Sequence, residues 1–146
     1  MHPQIRPLQL QEDLLDIHQL TLQLGYEIPL ERLQQHWQLI HLDKHYQTLV
    51  MTADDRVIGY AGFIQQYSWE FEEEFIRIQA FVIDARYRGQ GLGRRFMQAI
   101  EQSARRQVLK RILINSGNRP ERDAAHAFYQ NLGFEAYSLG FTKYLN

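Results

Sequence analysis

The chain has 146 residues, 45% hydrophobic and 23% charged, a balance that suits one soluble globular domain built around one core. Its 16 basic and 17 acidic residues leave a formal net charge of −1, which argues against a nucleic-acid partner, because phosphate contacts need clustered surplus positive charge. It contains no cysteine, so a disulfide framework, a thiolate zinc site and a cysteine nucleophile are excluded, and a cytoplasmic location is expected.

The first residues, Met1 to Arg6, lack the apolar run of a signal peptide. No stretch approaches the roughly 18 consecutive apolar residues of a membrane span, so no membrane partner is expected. Ile5 to Leu8 reads as a short first strand. From Gln9 to Leu24, residues Leu10, Leu14, Ile17, Leu20 and Leu24 recur at helical spacing, and Gly25 suits the residue that ends the helix. Pro29 suits the first turn of a second helix, with Leu30, Leu33, Trp37 and Ile40 along one side. Gln47 to Ala53, Val57 to Gln66 and Phe75 to Asp84 read as strands, with Asp54-Asp55 as a turn between the first two. A third helix is predicted over Gly91 to Gln107, burying Leu92, Phe96, Ala99 and Ile100. A short strand follows over Arg111 to Asn115. A fourth helix covers Arg122 to Leu132 and stops at Gly133. Strands over Phe134 to Ser138 and Phe141 to Leu145 complete the order β-α-α-β-β-β-α-β-α-β-β. This is a mixed α/β sandwich over residues 1–146, and three consecutive strands in its middle argue against a regular doubly wound sheet.

The strongest chemical signal is Arg88-Gly89-Gln90-Gly91-Leu92-Gly93-Arg94, where an apolar strand runs into alternating glycines and then an amphipathic helix. Glycine permits a tight turn and close approach of an anion to backbone N–H groups. The helix N-terminus adds unpaired donors and a positive dipole end, which together define a phosphate site. Arg86, Arg88, Arg94 and Arg95 gather positive charge around it. No lysine follows the glycines as a Walker loop requires, and the spacing is not the G-x-G-x-x-G of a dinucleotide fold.

Arg88-x-x-Gly91-x-Gly93, after a strand ending Phe81-Val82-Ile83, resembles the acyl-CoA signature of the GNAT N-acetyltransferase superfamily. A second segment, Ala125-His126-Ala127-Phe128-Tyr129-Gln130-Asn131-Leu132-Gly133-Phe134, resembles that family's A-x-x-x-Y-x-x-x-G-F helix and strand. Leu24-Gly25-Tyr26 and Phe141-x-Lys143-x-Leu145 are similar to a bacterial subgroup of undefined substrate. The resemblance covers nearly the whole chain. It implies the GNAT fold, acetyl-CoA as cosubstrate without a metal, and acetyl transfer to a primary amine by direct attack on the thioester. The acceptor is expected to be a small molecule. Protein-amine acetylation and a non-catalytic acyl-CoA-binding module are the alternatives, and a homodimer is an expectation by analogy.

The resemblance also implies roles for single residues. Phe81, Val82 and Ile83 would pair with the amide-rich pantetheine arm, and the backbone N–H of about Val82 would polarise the thioester carbonyl. Gly89, Gln90, Gly91, Leu92, Gly93 and Arg94 would hold the pyrophosphate, with Arg88 at the head of the motif. Arg122 stands where the family often has a cofactor-holding asparagine. Tyr129 matches the tyrosine beside the leaving sulfur. Tyr26 falls in the region that lines the acceptor pocket in the family. Apart from the resemblance, Glu72, Glu73 and Glu74 are near in sequence and are candidates for base or ammonium anchor, with Glu74 taken beside Tyr26 as an acceptor contact, although a charge run is usually a solvated face. Many members carry a glutamate six positions before the residue matching Ile83; here that position is Arg77, so the base is unassigned. His126 shares a stripe with Arg122 and Tyr129 and has base-like titration chemistry, although a structural hydrogen bond is the plainer reading. His41 and His45 lack the H-E-x-x-H pattern of a metal site.

Overall fold

The computed structural model describes residues 2–117 and 120–146. The chain divides into two compact units, Met1–Asn115 and Ser116–Asn146.

The larger unit runs β1 (Gln4–Pro7), α1 (Leu10–Gln23), α2 (Leu30–Ile40), β2 (Tyr46–Ala53), β3 (Arg56–Tyr67), β4 (Glu74–Ile83), α3 (Leu92–Arg106) and β5 (Ile112–Ile114). The strands form one sheet in the order β1-β2-β3-β4-β5. Pairing is antiparallel from β1 to β4, and β5 joins β4 in parallel. Asp54 and Asp55 close the β2–β3 hairpin with φ of 53° and 61°, the primed turn that matches strand twist. Strand pairing slips by one residue twice. Ile58 is the extra residue on β3 against β2, and Gln79 the extra residue on β4 against β3.

Each face of the sheet has its own helical cover. Tyr60 and Val82 pack with Ile17 and Leu20 of α1 and Leu33 and Trp37 of α2. Phe81, one position from Val82, turns to the other face and meets Phe96 of α3 with ring centroids 5.5 Å apart. Helix α3 buries Leu92, Phe96, Met97, Ile100 and Ala104, an apolar stripe at helical spacing.

Both α1 and α3 end in the same hydrogen-bonded motif. In α1, Gly25 N–H donates to Leu22 O and Tyr26 N–H to Thr21 O, with Gly25 at φ 104°. In α3, Val108 N–H donates to Arg105 O and Leu109 N–H to Ala104 O, and here Val108 takes the left-handed conformation at φ 61°.

The smaller unit has a 3-10 turn over Pro120–Arg122 and α4 over Asp123–Asn131. Helix α4 closes as the other two do, with Gly133 at φ 95°. The element order up to α4 is the expected one. The two strands expected after it are not formed: residues 134–146 carry neither helix nor strand. Alternating apolar residues supply one face of a strand, but a strand exists only where a partner takes its backbone hydrogen bonds. Phe141, Tyr144 and Leu145 are accordingly exposed. Among the described residues, no helix is long and apolar enough to cross a membrane.

Candidate acyl-CoA site

The candidate site in the larger unit is built on β4 and the turn that follows it. Strand β4 pairs with β5 only over Ile76–Ile78, opposite Ile112–Ile114. The bulge at Gln79 comes next, and beyond it β4 continues beside β3 to Ile83. Asp84 N–H donates to Ile58 O at 2.7 Å, on the β3 side. Strict alternation then points the N–H and C=O of Val82 toward β3 and those of Phe81 and Ile83 away from it, toward the split. The N–H expected from Val82 therefore faces β3, because its neighbours hold the outward positions. The outward carbonyl of Ile83 accepts Nε of Arg88 at 3.1 Å, which folds this side chain back along β4.

After Ile83 the chain makes a 3-10 turn over Ala85–Tyr87 and enters α3 through the glycines. Gly89 and Gly91 stand at φ 78° and 77°, where a side chain is strained by roughly 1–2 kcal/mol. A Cβ at either would meet nothing within 4 Å, so the constraint is the backbone conformation itself and the space above it is open. Gly91 is the N-cap of α3 and no side chain caps the helix. Gln90, Gly91 and Arg94 are exposed, while Leu92 is buried and Gly93 half-buried in the first turn. This is an uncapped helix end with accessible donors and flanking guanidinium groups, the donor set that fits a pyrophosphate.

Asp84 holds this turn in place, a role no motif assigned to it. Its carboxylate accepts Arg86 N–H at 3.0 Å and Arg86 Nη2 at 2.8 Å. The Arg86 hydrogen bond, against the opposing effect of burial, lowers the Asp84 pKa to about 2. Gln23, the last residue of α1, accepts Ala85 N–H at 2.9 Å and so ties that helix to the same turn. The available signal was an aspartate directly before a turn, where its side chain can accept a backbone N–H two residues on.

Of the residues expected at the acceptor, Tyr26 lies exposed in the turn that ends α1. Glu74 lies on the sheet face opposite Tyr60, with Ile76 and Ile78, and accepts Nε2 of Gln65 at 3.0 Å. The neighbouring Glu73 is bound to Arg111 at 2.9 Å. Both nitrogens of His41 are engaged, with Trp37 O and Thr48 Oγ1. Among the described residues, no group of three metal-ligating side chains is present.

In the smaller unit Tyr129 is buried on α4, its ring between Phe128 and Phe134 at 5.6 and 6.1 Å. The helix-ending motif sets that packing, because Phe134 N–H donates to Tyr129 O and draws the two rings together. Burial raises the Tyr129 pKa, while the charge and hydrogen bond of Arg122 oppose that shift. Arg122 also donates from Nε to Ser116 Oγ at 3.2 Å. A ring nitrogen of His126 lies 3.0 Å from Gly117 O, the structural hydrogen bond that was the plainer reading.

A mixed sheet whose strand β4 runs through a glycine turn into an uncapped helix defines an α/β protein with an oxyanion site at a helix N-terminus. The family model described as the acetyltransferase (GNAT) family matches residues 11–134, and the chain belongs to this family. A comparison with curated proteins gave no match. A GNAT family acetyltransferase of Staphylococcus aureus superposes with a TM-score of 0.86 at 28% identity, covering 99% of this chain and 100% of that one. An aminoglycoside N-acetyltransferase in complex with CoA gives 0.83 at 17% identity, covering 99% and 95%. A ribosomal-protein-alanine N-acetyltransferase of Brucella melitensis gives 0.78 at 15% identity, covering 98% and 100%. At these last two identities the likeness is one of fold.

Proposed function

We propose that this protein transfers the acetyl group of acetyl-CoA to a primary amine of a small-molecule acceptor, by direct attack. The observation that carries this reading is the parting of β4 from β5 after Ile78, a few residues before β4 enters the glycine turn. Bound acetyl-CoA supplies the activated thioester. The N–H groups of residues 89–94 hold its pyrophosphate, and the outward backbone groups of Phe81 and Ile83 pair with its pantetheine amides as another strand would. Both N-acetyltransferases named above act, by their names, on nitrogen, which supports an amine as nucleophile.

Tyr129 donates a hydrogen bond to the departing sulfur. A phenol of pKa about 10 gives up its proton to a thiolate of about 8.5 at a cost of roughly 2 kcal/mol, and burial raises that cost. Donation to developing charge, with transfer completed late, therefore suits it better than early proton loss. The nearby charge of Arg122 favours the ionised phenol and opposes the effect of burial. An acceptor amine of pKa about 10.4 is neutral in only about one molecule in 2,500 at pH 7. The bound states of Glu73 and Glu74 assign neither as its base.

The test is CoA release from acetyl-CoA across a panel of small amines, with mass detection of the product. Acceleration by at least one amine, with acetylation on nitrogen, is the expected result. Tight acetyl-CoA binding with no responsive amine would replace this reading with an acyl-CoA-binding module. Thermal stabilisation by ATP or NAD but not by CoA would overturn the cosubstrate.

A further inference from the structure

The arginines of the sheet and its edges differ in what holds them. Arg6, Arg56, Arg86 and Arg111 are each paired with a carboxylate, at 2.8 to 3.2 Å. Arg77 is not. Its Nε donates to Gln66 Oε1 at 3.0 Å and its Nη1 to Asn115 Oδ1 at 2.8 Å, both of them neutral amide oxygens. Among the described residues no carboxylate pairs with it. Phe75 lies between Arg77 and Arg111, with centroid distances of 5.8 and 4.5 Å, yet only Arg111 carries a counter-charge, from Glu73.

This arrangement orients a guanidinium without neutralising it. Gln66 and Asn115 take the Nε hydrogen and one Nη1 hydrogen, which leaves three guanidinium N–H donors, two of them on Nη2, for a further acceptor. A carboxylate or phosphate takes two such donors at once. A half-buried cation without a counter-ion is electrostatically costly, and a bound oxyanion removes that cost.

The position of Arg77 ties this anchor to the split between β4 and β5. Arg77 lies opposite Leu113, one rung before the last parallel pair, Ile78 and Ile114. Asn115 is the residue directly after β5, so the Arg77–Asn115 hydrogen bond spans the two strands where their pairing ends. Across β3, Arg77 is opposite Ile64, and it shares the face of Tyr60 and Val82 rather than that of Phe81. Phe81 lies four positions further along β4, about 13 Å at ordinary strand rise and less across the bulge at Gln79. A compact acceptor, together with the arginine side chain, covers that span.

We propose that Arg77 is an anion anchor that selects acceptor amines carrying an oxyanion, a carboxylate or a phosphate monoester. The proposal rests on the acetyl-transfer reading above and names its substrate class.

The test compares matched acceptors in the CoA-release assay. Glycine, β-alanine and glutamate are set against their carboxamides, and O-phosphoethanolamine against ethanolamine. For at least one pair, kcat/KM is expected to be at least about tenfold higher for the anionic member. Arg77→Gln should bring that ratio close to one, and Arg77→Lys should leave it between the two. The carboxylate and phosphate pairs separate the two sources of oxyanion. Equal use of both members of every pair, preference for the neutral member, or an anionic preference that survives Arg77→Gln would overturn the proposal. If no amine is acetylated, the acetyl-transfer reading fails, and Arg77 is tested by binding. N-acetylglycine, N-acetylglutamate and N-acetyl-O-phosphoethanolamine would be titrated against their neutral counterparts into CoA-loaded protein, following the Asn115 side-chain amide by NMR. A preference of about tenfold in Kd that is lost in Arg77→Gln supports the anchor; equal Kd values overturn it.

Discussion

Asp84 and Arg86 form a closed loop of hydrogen bonds at the entrance to the glycine turn: the aspartate accepts both the backbone N–H of Arg86, at 3.0 Å, and its guanidinium, at 2.8 Å. The pair decides how the chain leaves β4, and its charge is exposed to pH.

The Asp84 carboxyl falls from an ordinary value of 3.8 to about 2, chiefly through the Arg86 hydrogen bond. A depressed folded-state pKa contributes stability that is present above the unfolded value and lost as pH falls through the folded one. The contribution is therefore complete above about pH 4 and disappears between about pH 4 and pH 2. It amounts to about 2 kcal/mol at most, since Arg86 itself is largely exposed. Urea melts from pH 6 to pH 2 should show a smaller acid-dependent loss for Asp84→Ala than for the parent, and calorimetry should show weaker CoA binding.

Gly91 at φ 77° sets the direction of the α3 N-terminus. Gly91→Ala should cost roughly 1–2 kcal/mol of stability and weaken CoA binding by more than that strain alone requires, because the N–H groups are re-aimed. Parallel denaturant and calorimetric titrations separate the two effects. Unchanged CoA affinity would remove the turn from the site.

Val108 occupies the position that glycine fills at the ends of α1 and α4, yet it is β-branched, at φ 61°, and 77% exposed. Its strain is not offset by burial. Val108→Gly should stabilise the protein by about 1 kcal/mol, seen as a higher urea midpoint at constant m. A lower midpoint would mean that the exposed side chain or the unfolded chain matters more than the backbone strain.

Tyr129→Phe removes one hydroxyl and leaves the rings of Phe128 and Phe134 packed. It should lower kcat by about a hundredfold with little change in KM for acetyl-CoA. Arg122 lowers the phenol pKa against the larger effect of burial, so Arg122→Ala should move the alkaline loss of activity to higher pH. An alkaline limb that is unchanged in Arg122→Ala, with full turnover in Tyr129→Phe, would take both residues out of the chemistry.

The sequence by itself determined the features whose signals are local. Leu10, Leu14, Ile17 and Leu20 repeat at the period of a helix, and Gly25 ends it. Glycines 89 and 91 are needed where φ is positive, so the turn into α3 was legible from residue identity alone. Helix ends were legible too, that of α3 near Gln107 included, although Val108 stands after it where glycine is the usual signal. Tertiary structure decided what depends on partners far along the chain. The bulges at Ile58 and Gln79 set which backbone groups face which neighbour, and so turned Val82 inward and Phe81 and Ile83 outward. The same register put Glu74 on the sheet face opposite Tyr60, since each shift of one residue reverses the face a side chain takes. The apolar alternation after Gly133 resembled two strands, but pairing is a property of two segments, and residues 134–146 carry no strand. Arg77 is the sharpest case: its type and position were visible in the sequence, whereas its hold by the amides of Gln66 and Asn115, without a counter-charge, exists only in the folded sheet.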